Sequence, residues 1–108
     1  MFAVRAKRRP GLKREKTLSL LQANRERIRS EFGVKSLRLF GSVARDEAGP
    51  NSDVDLLVEF DRPTGYLGLV RLQLRLEELL GCRVDLGTPG ALRPASREHI
   101  AKEAIRVG

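Results

Sequence analysis

The sequence predicts a small α/β (α+β) domain, a three-stranded mixed sheet flanked by helices. Three observations lead there. Two short apolar runs, residues 34–40 and 53–60, are bounded by Gly33, Gly41 and the turn Gly49-Pro50-Asn51-Ser52, and read as strands. Between Gly65 and Gly81 a leucine-rich stretch repeats its apolar residues at helical spacing. A third short run, Arg83-Val84-Asp85-Leu86, follows that helix, as expected of a strand reached by a helical crossover.

The elements follow in chain order. Residues 13–32 place Leu18, Leu20, Leu21, Ala23, Ile28 and Phe32 on a helical stripe that Gly33 ends. After the first strand, a short helix is expected from Ser42 to about Asp46. In the second strand Leu56-Leu57-Val58 lacks alternation, the pattern of a strand covered on both faces. In the third, Val84 and Leu86 face one way, Arg83 and Asp85 the other, and Thr88-Pro89-Gly90 ends it. Arg93-Pro94 opens a last helix whose buried stripe is expected to be Ile100, Ala104 and Ile105.

Composition bounds the function. At 108 residues, with 41% hydrophobic and 32% charged content, the chain suits one globular domain rather than a disordered one. Its apolar runs fall short of the ~20 residues that span a bilayer, and the first residues lack a signal-peptide core. The single cysteine, Cys82, excludes an internal disulfide and fits a reducing, cytoplasmic setting. With one Cys and one His (His99, read as a surface residue), the usual zinc sites are excluded. The net charge of +7 suggests an anionic partner. Much of the excess sits in residues 1–12, read as a basic flexible arm before a domain spanning 13–108. That arm is either a nucleic-acid contact or a solvated tail, and aromatic residues for base stacking do not interleave with its charges.

The chemistry gathers between residues 40 and 58. In a strand Asp53 and Asp55 share a face, while Val54 and Leu56 take the other. Adjacent carboxylates repel unless a cation lies between them, and a hard divalent ion such as Mg²⁺ takes a few carboxylates plus substrate phosphates. Gly41 lacks a Cβ and admits close approach to the backbone. Ser42 adds a hydroxyl at the start of a helix, where an anion is favoured. The Gly-Ser lies at the carboxyl end of its strand and the aspartates at the amino end of theirs, so the two meet only if the strands run antiparallel. Asp85 is a third carboxylate placed to converge on the same site, as metal ligand or proton acceptor. Arg45 either reaches back to a phosphate or pairs with Asp46, Glu47 or a carboxylate at the sheet edge.

Gly41-Ser42, ten residues, then Asp53-Val54-Asp55, with Val84-Asp85-Leu86 downstream, resembles the signature of the DNA polymerase beta-like nucleotidyltransferases, in particular the minimal nucleotidyltransferase (MNT) family. The similarity runs from about residue 18 to 107. It implies a nucleotidyltransferase core. Asp53 and Asp55 would bind two Mg²⁺ ions, and Asp85 would be the third metal carboxylate and a possible base. Gly41 and Ser42 would hold the triphosphate of ATP. Family members usually carry Gly after the Arg, where this chain has Asp46.

Relatives of this kind often act as antitoxins that transfer AMP to a tyrosine of a HEPN ribonuclease toxin. The resemblance therefore implies a Mg-dependent protein adenylyltransferase with a HEPN partner. A binding module that silences its partner by covering it is the alternative, and the wide leucine-rich helix is its support. A small-molecule, antibiotic-modifying transferase is a third, against which the lack of residues for a second domain counts. Whether the chain forms homo- or hetero-oligomers is left open by its sequence.

Overall fold

The computed structural model describes residues 12–91 and 93–107. The basic arm therefore lies almost wholly outside the described residues.

Two helices open the chain, α1 (Arg14–Ala23) and α2 (Arg25–Phe32), where the sequence predicts one. Asn24 divides them. Its side-chain amide donates to the Leu20 carbonyl at 2.8 Å, and its backbone leaves the helical region at φ −111°, ψ 9°. Asparagine competes in this way with the backbone ladder. Leu21 and Ile28, one from each helix, are both buried in the core.

Strand β1 (Val34–Phe40) follows, then the one-turn helix α3 (Gly41–Ala44) and strand β2 (Val54–Phe60). Helix α4 (Tyr66–Leu80) crosses over to β3 (Val84–Gly87). Glu77 of α4 ties the two together, its Oε2 accepting the Val84 N–H at 3.0 Å. A 3₁₀ turn (Pro89–Ala91) leads to α5 (Pro94–Glu103).

The sheet has four strands in the order β3-β2-β1-β4, one more than the sequence predicts. β1 and β2 are antiparallel, as the site requires, and β2 and β3 are parallel. The extra strand, β4 (Ile105–Arg106), falls where the last helix is expected to continue. Instead the chain turns extended at Ala104, and Ile105 and Arg106 pair with Leu39 and Arg38. The physical reason is the edge of β1. Without β4 that strand would expose unpaired N–H and C=O groups. Val107 extends the cover, donating its N–H to the Leu37 carbonyl at 2.9 Å. Ala104 and Ile105 thus do not belong to a helical stripe, although Ile100 is buried as expected.

The core lies between one sheet face and the helices. Leu37, Leu39, Leu56 and Val58 meet Leu21, Leu72 and Leu76 there. Leu57, on the opposite face, is only 7% exposed, so β2 is covered on both sides at this point. Leu56 is fully buried, and Leu56→Ala is expected to destabilise the domain by about 2–5 kcal/mol, read as a lower denaturant midpoint at unchanged slope. Among the described residues no helix is long and apolar enough to cross a membrane.

Candidate active site

The register of the sheet assembles the acids. Asp55 lies opposite Phe40 on β1 and opposite Asp85 on β3, so the last residue before Gly41 and two of the three aspartates are cross-strand neighbours. Asp53 stands one residue before β2, and its charge is felt at Asp55. The consequence is a carboxyl raised to about 6 at Asp55, by burial first, then by Asp85 and Asp53, with Arg45 partly offsetting them.

Gly41 fits against this cluster. It adopts φ +78°, and a Cβ built there would collide with the Asp55 carboxylate, its Cγ lying 2.9 Å away. Only glycine combines that backbone with that approach. Ser42 follows, half-buried, and its hydroxyl takes no hydrogen bond from the described residues. The close approach of the Gly-Ser turn to the aspartates is therefore present in the fold.

Arg45 does not point freely at a ligand. Its Nε pairs with Glu47 at 3.0 Å and its Nη1 with Glu103 at 2.8 Å. Of the two sequence readings, the ion pair is the one present, with an additional partner from the end of α5. Glu103 also accepts the Gly41 N–H at 3.0 Å. No local pattern marks this residue; it lies next to Lys102 in a polar helix and reads as solvated surface.

Asp46 stands where the resemblance implies a glycine, and the fold accommodates it. The Glu47 N–H returns to the Ser42 carbonyl at 2.8 Å and the Asp46 N–H to Val43 at 3.0 Å, closing α3 in a Schellman turn. That turn needs a left-handed residue at position 46, and Asp46 sits at φ +60°. Aspartate tolerates this region better than most side chains. Here its Oδ1 also accepts the Arg14 N–H at 3.0 Å, so it caps the start of α1 from across the molecule.

Among the described residues no three His, Cys, Asp or Glu side chains are close enough to cage a metal. Like charges repel, and Asp53 leans towards Arg83, Oδ1 to Nε at 3.5 Å. The donor set itself suits a hard divalent cation: all its atoms are carboxylate oxygens, and Asp55 sits in a field of like charge that a cation relieves.

A model of the nucleotidyltransferase domain matches residues 21–107. The chain belongs to the nucleotidyltransferase domain family. Among similar proteins, the protein adenylyltransferase MntA of Thermococcus cleftensis is 38% identical over 93 residues, covering 86% of this chain and 94% of that protein. A Methanocaldococcus jannaschii chain assigned as a protein adenylyltransferase is 45% identical over 77 residues, or 71% of this chain and 83% of its own. Among solved structures, one assigned as a minimal nucleotidyltransferase superposes with TM-score 0.69 at 45% identity, covering 82% of this chain and 93% of that one. The fold is shared with the MNT antitoxin solved in complex with a tri-AMPylated HEPN toxin of Shewanella oneidensis. That match has a TM-score of 0.62 at 15% identity, over 84% of this chain and 71% of the solved one. This nucleotidyltransferase is thus an enzyme by family, and its Gly41 turn faces Asp55 and Asp85 on one side of the sheet.

Proposed function

We propose that this nucleotidyltransferase transfers AMP from ATP to a hydroxyl of a partner protein, a tyrosine of a HEPN ribonuclease toxin, and thereby acts as its antitoxin. The observation that carries the reading is the pairing of Asp55 with Asp85 beside the left-handed Gly41. The relatives named protein adenylyltransferase and the fold shared with an MNT antitoxin support it.

In this proposal Asp53, Asp55 and Asp85 hold Mg²⁺, in two ions, which when bound neutralises the triphosphate and the departing pyrophosphate. Ser42 and the first amides after Gly41 take the triphosphate oxygens, at the close approach that Gly41 permits, and Arg45 adds positive charge beside them. Asp85, exposed at the outer strand, accepts the proton of the acceptor hydroxyl. The acceptor oxygen bonds to the α-phosphorus as the bond from that phosphorus to the bridging oxygen breaks. Pyrophosphate leaves with the electron pair. The described domain has little beyond its core to build an acceptor pocket, so a second chain supplies that surface.

The test incubates the partner toxin with labelled ATP and Mg²⁺, comparing wild type with Asp53→Asn. Labelling should fall by roughly a hundredfold or more in the variant. Equal labelling by both proteins would refute the mechanism.

A second reading, neutralisation by covering alone, is favoured by one feature. Tyr66, Leu67 and Leu74 of α4 are 78%, 76% and 59% exposed. An Asp53→Asn protein that still protects cells fully from the toxin would establish that reading instead.

A further inference from the structure

Helix α5 ends in a carboxylate that reaches into the Gly-Ser turn. The two oxygens of Glu103 do different work: Oε2 accepts the Gly41 N–H at 3.0 Å, and Oε1 accepts Arg45 Nη1 at 2.8 Å. The side chain is only 16% exposed, whereas Glu47, the other partner of Arg45, is 65% exposed. Exposed ion pairs contribute little, but charge-assisted bonds to a backbone amide in a part-buried setting are among the stronger ones. These bonds hold the Glu103 carboxyl below the usual range, the Gly41 N–H first and Arg45 next, so it is charged at neutral pH.

Gly41 is therefore fixed from two sides. The Asp55 carboxylate abuts its Cα, where a side chain would collide, and Glu103 fixes its N–H. Fixing that N–H fixes the plane of the Phe40–Gly41 peptide, and with it the direction in which Ser42 and the next amides are presented. The same carboxylate sets the guanidinium of Arg45, whose charge is felt at Asp55.

We propose that Glu103 is a positioning residue of the nucleotide turn, holding the Gly41 peptide so that Ser42 and the amides after it, together with the Arg45 guanidinium, are presented to the triphosphate. The proposal rests on the transferase reading for the ligand, but the positioning itself is measurable without nucleotide.

The experiment compares wild type, Glu103→Gln and Glu103→Ala by amide hydrogen exchange in the nucleotide-free protein, then by Mg·ATP transfer kinetics. In Glu103→Ala the Gly41 amide should lose protection while those of Leu56 and Val58 keep theirs. The KM for ATP should rise about ten- to a hundredfold, with kcat changing less. Glutamine retains one acceptor for the Gly41 N–H but no charge for Arg45. It should preserve Gly41 protection and give an intermediate KM. Unchanged Gly41 exchange in the alanine variant, or a loss shared equally by Leu56 and Val58, would overturn the proposal. So would an unchanged KM. A wild-type protein that binds no Mg·ATP counts against the transferase reading, and the Gly41 exchange then decides the positioning alone.

Discussion

Asp55→Asn is expected to raise the melting temperature of the metal-free protein while abolishing nucleotide transfer. The Asp55 carboxyl is pushed up to about 6 by its burial and by the charges of Asp85 and Asp53. Its folded-state value lies above the ordinary carboxyl value of 3.8, so the native state binds more protons than the unfolded chain between those limits. Stability contributed by this group is therefore present at low pH and is lost as pH rises through about 6. Asparagine is neutral throughout and lacks this penalty at neutral pH. Glu103 and Asp61 have the opposite slope, their carboxyls held low by hydrogen-bonded partners. The informative quantity is thus the difference in melting temperature between variant and wild type, measured in chelator. It should grow from near zero at about pH 4 to its full value above about pH 7. Added Mg²⁺ should raise the wild-type melting temperature and leave the asparagine variant nearly unmoved. A variant no more stable than wild type at neutral pH in chelator would show that the acids are not under mutual strain.

Gly41→Ala should cost both stability and activity. The φ of +78° alone costs a side chain about 1–2 kcal/mol. The new Cβ also lands on the Asp55 carboxylate, so either the turn or the acid must move. Gly33→Ala supplies the control. Its φ of +70° imposes a similar backbone cost, but the added carbon meets the flexible Arg62 side chain, with Nε at 2.7 Å, at the far end of β1. Gly33→Ala should lose denaturant midpoint through the backbone cost and Gly41→Ala by at least as much, yet only Gly41→Ala should lose transfer. Full activity in Gly41→Ala would mean that the close approach to Asp55 plays no part.

What the sequence makes legible follows from physical scale. β1 and β2 are readable because glycines and a strong turn bracket them, and their antiparallel pairing follows from requiring Gly41 to meet Asp55. Leu56, Leu57 and Val58 announce a strand covered on both faces by their lack of alternation. β4 is invisible because two residues carry no period; only the need to cover the edge of β1 explains it. The break at Asn24 is a side-chain bond that outcompetes an otherwise good helical stripe. Glu103 is hidden for a different reason. Its two partners lie 62 and 58 residues away, and nothing in a polar helix end distinguishes a part-buried clamp from a solvated carboxylate. The lean of Asp53 towards Arg83 is likewise a tertiary compromise among like charges.

Two forms of labelled ATP test the central claim most directly, one labelled at the α-phosphate and the other at the γ-phosphate. Each is supplied with Mg²⁺, this protein and the partner toxin. Nucleotide transfer to a protein hydroxyl predicts label on the toxin from the α position alone, with one pyrophosphate released per AMP attached. Label arriving from the γ position, or none arriving from either, would contradict it.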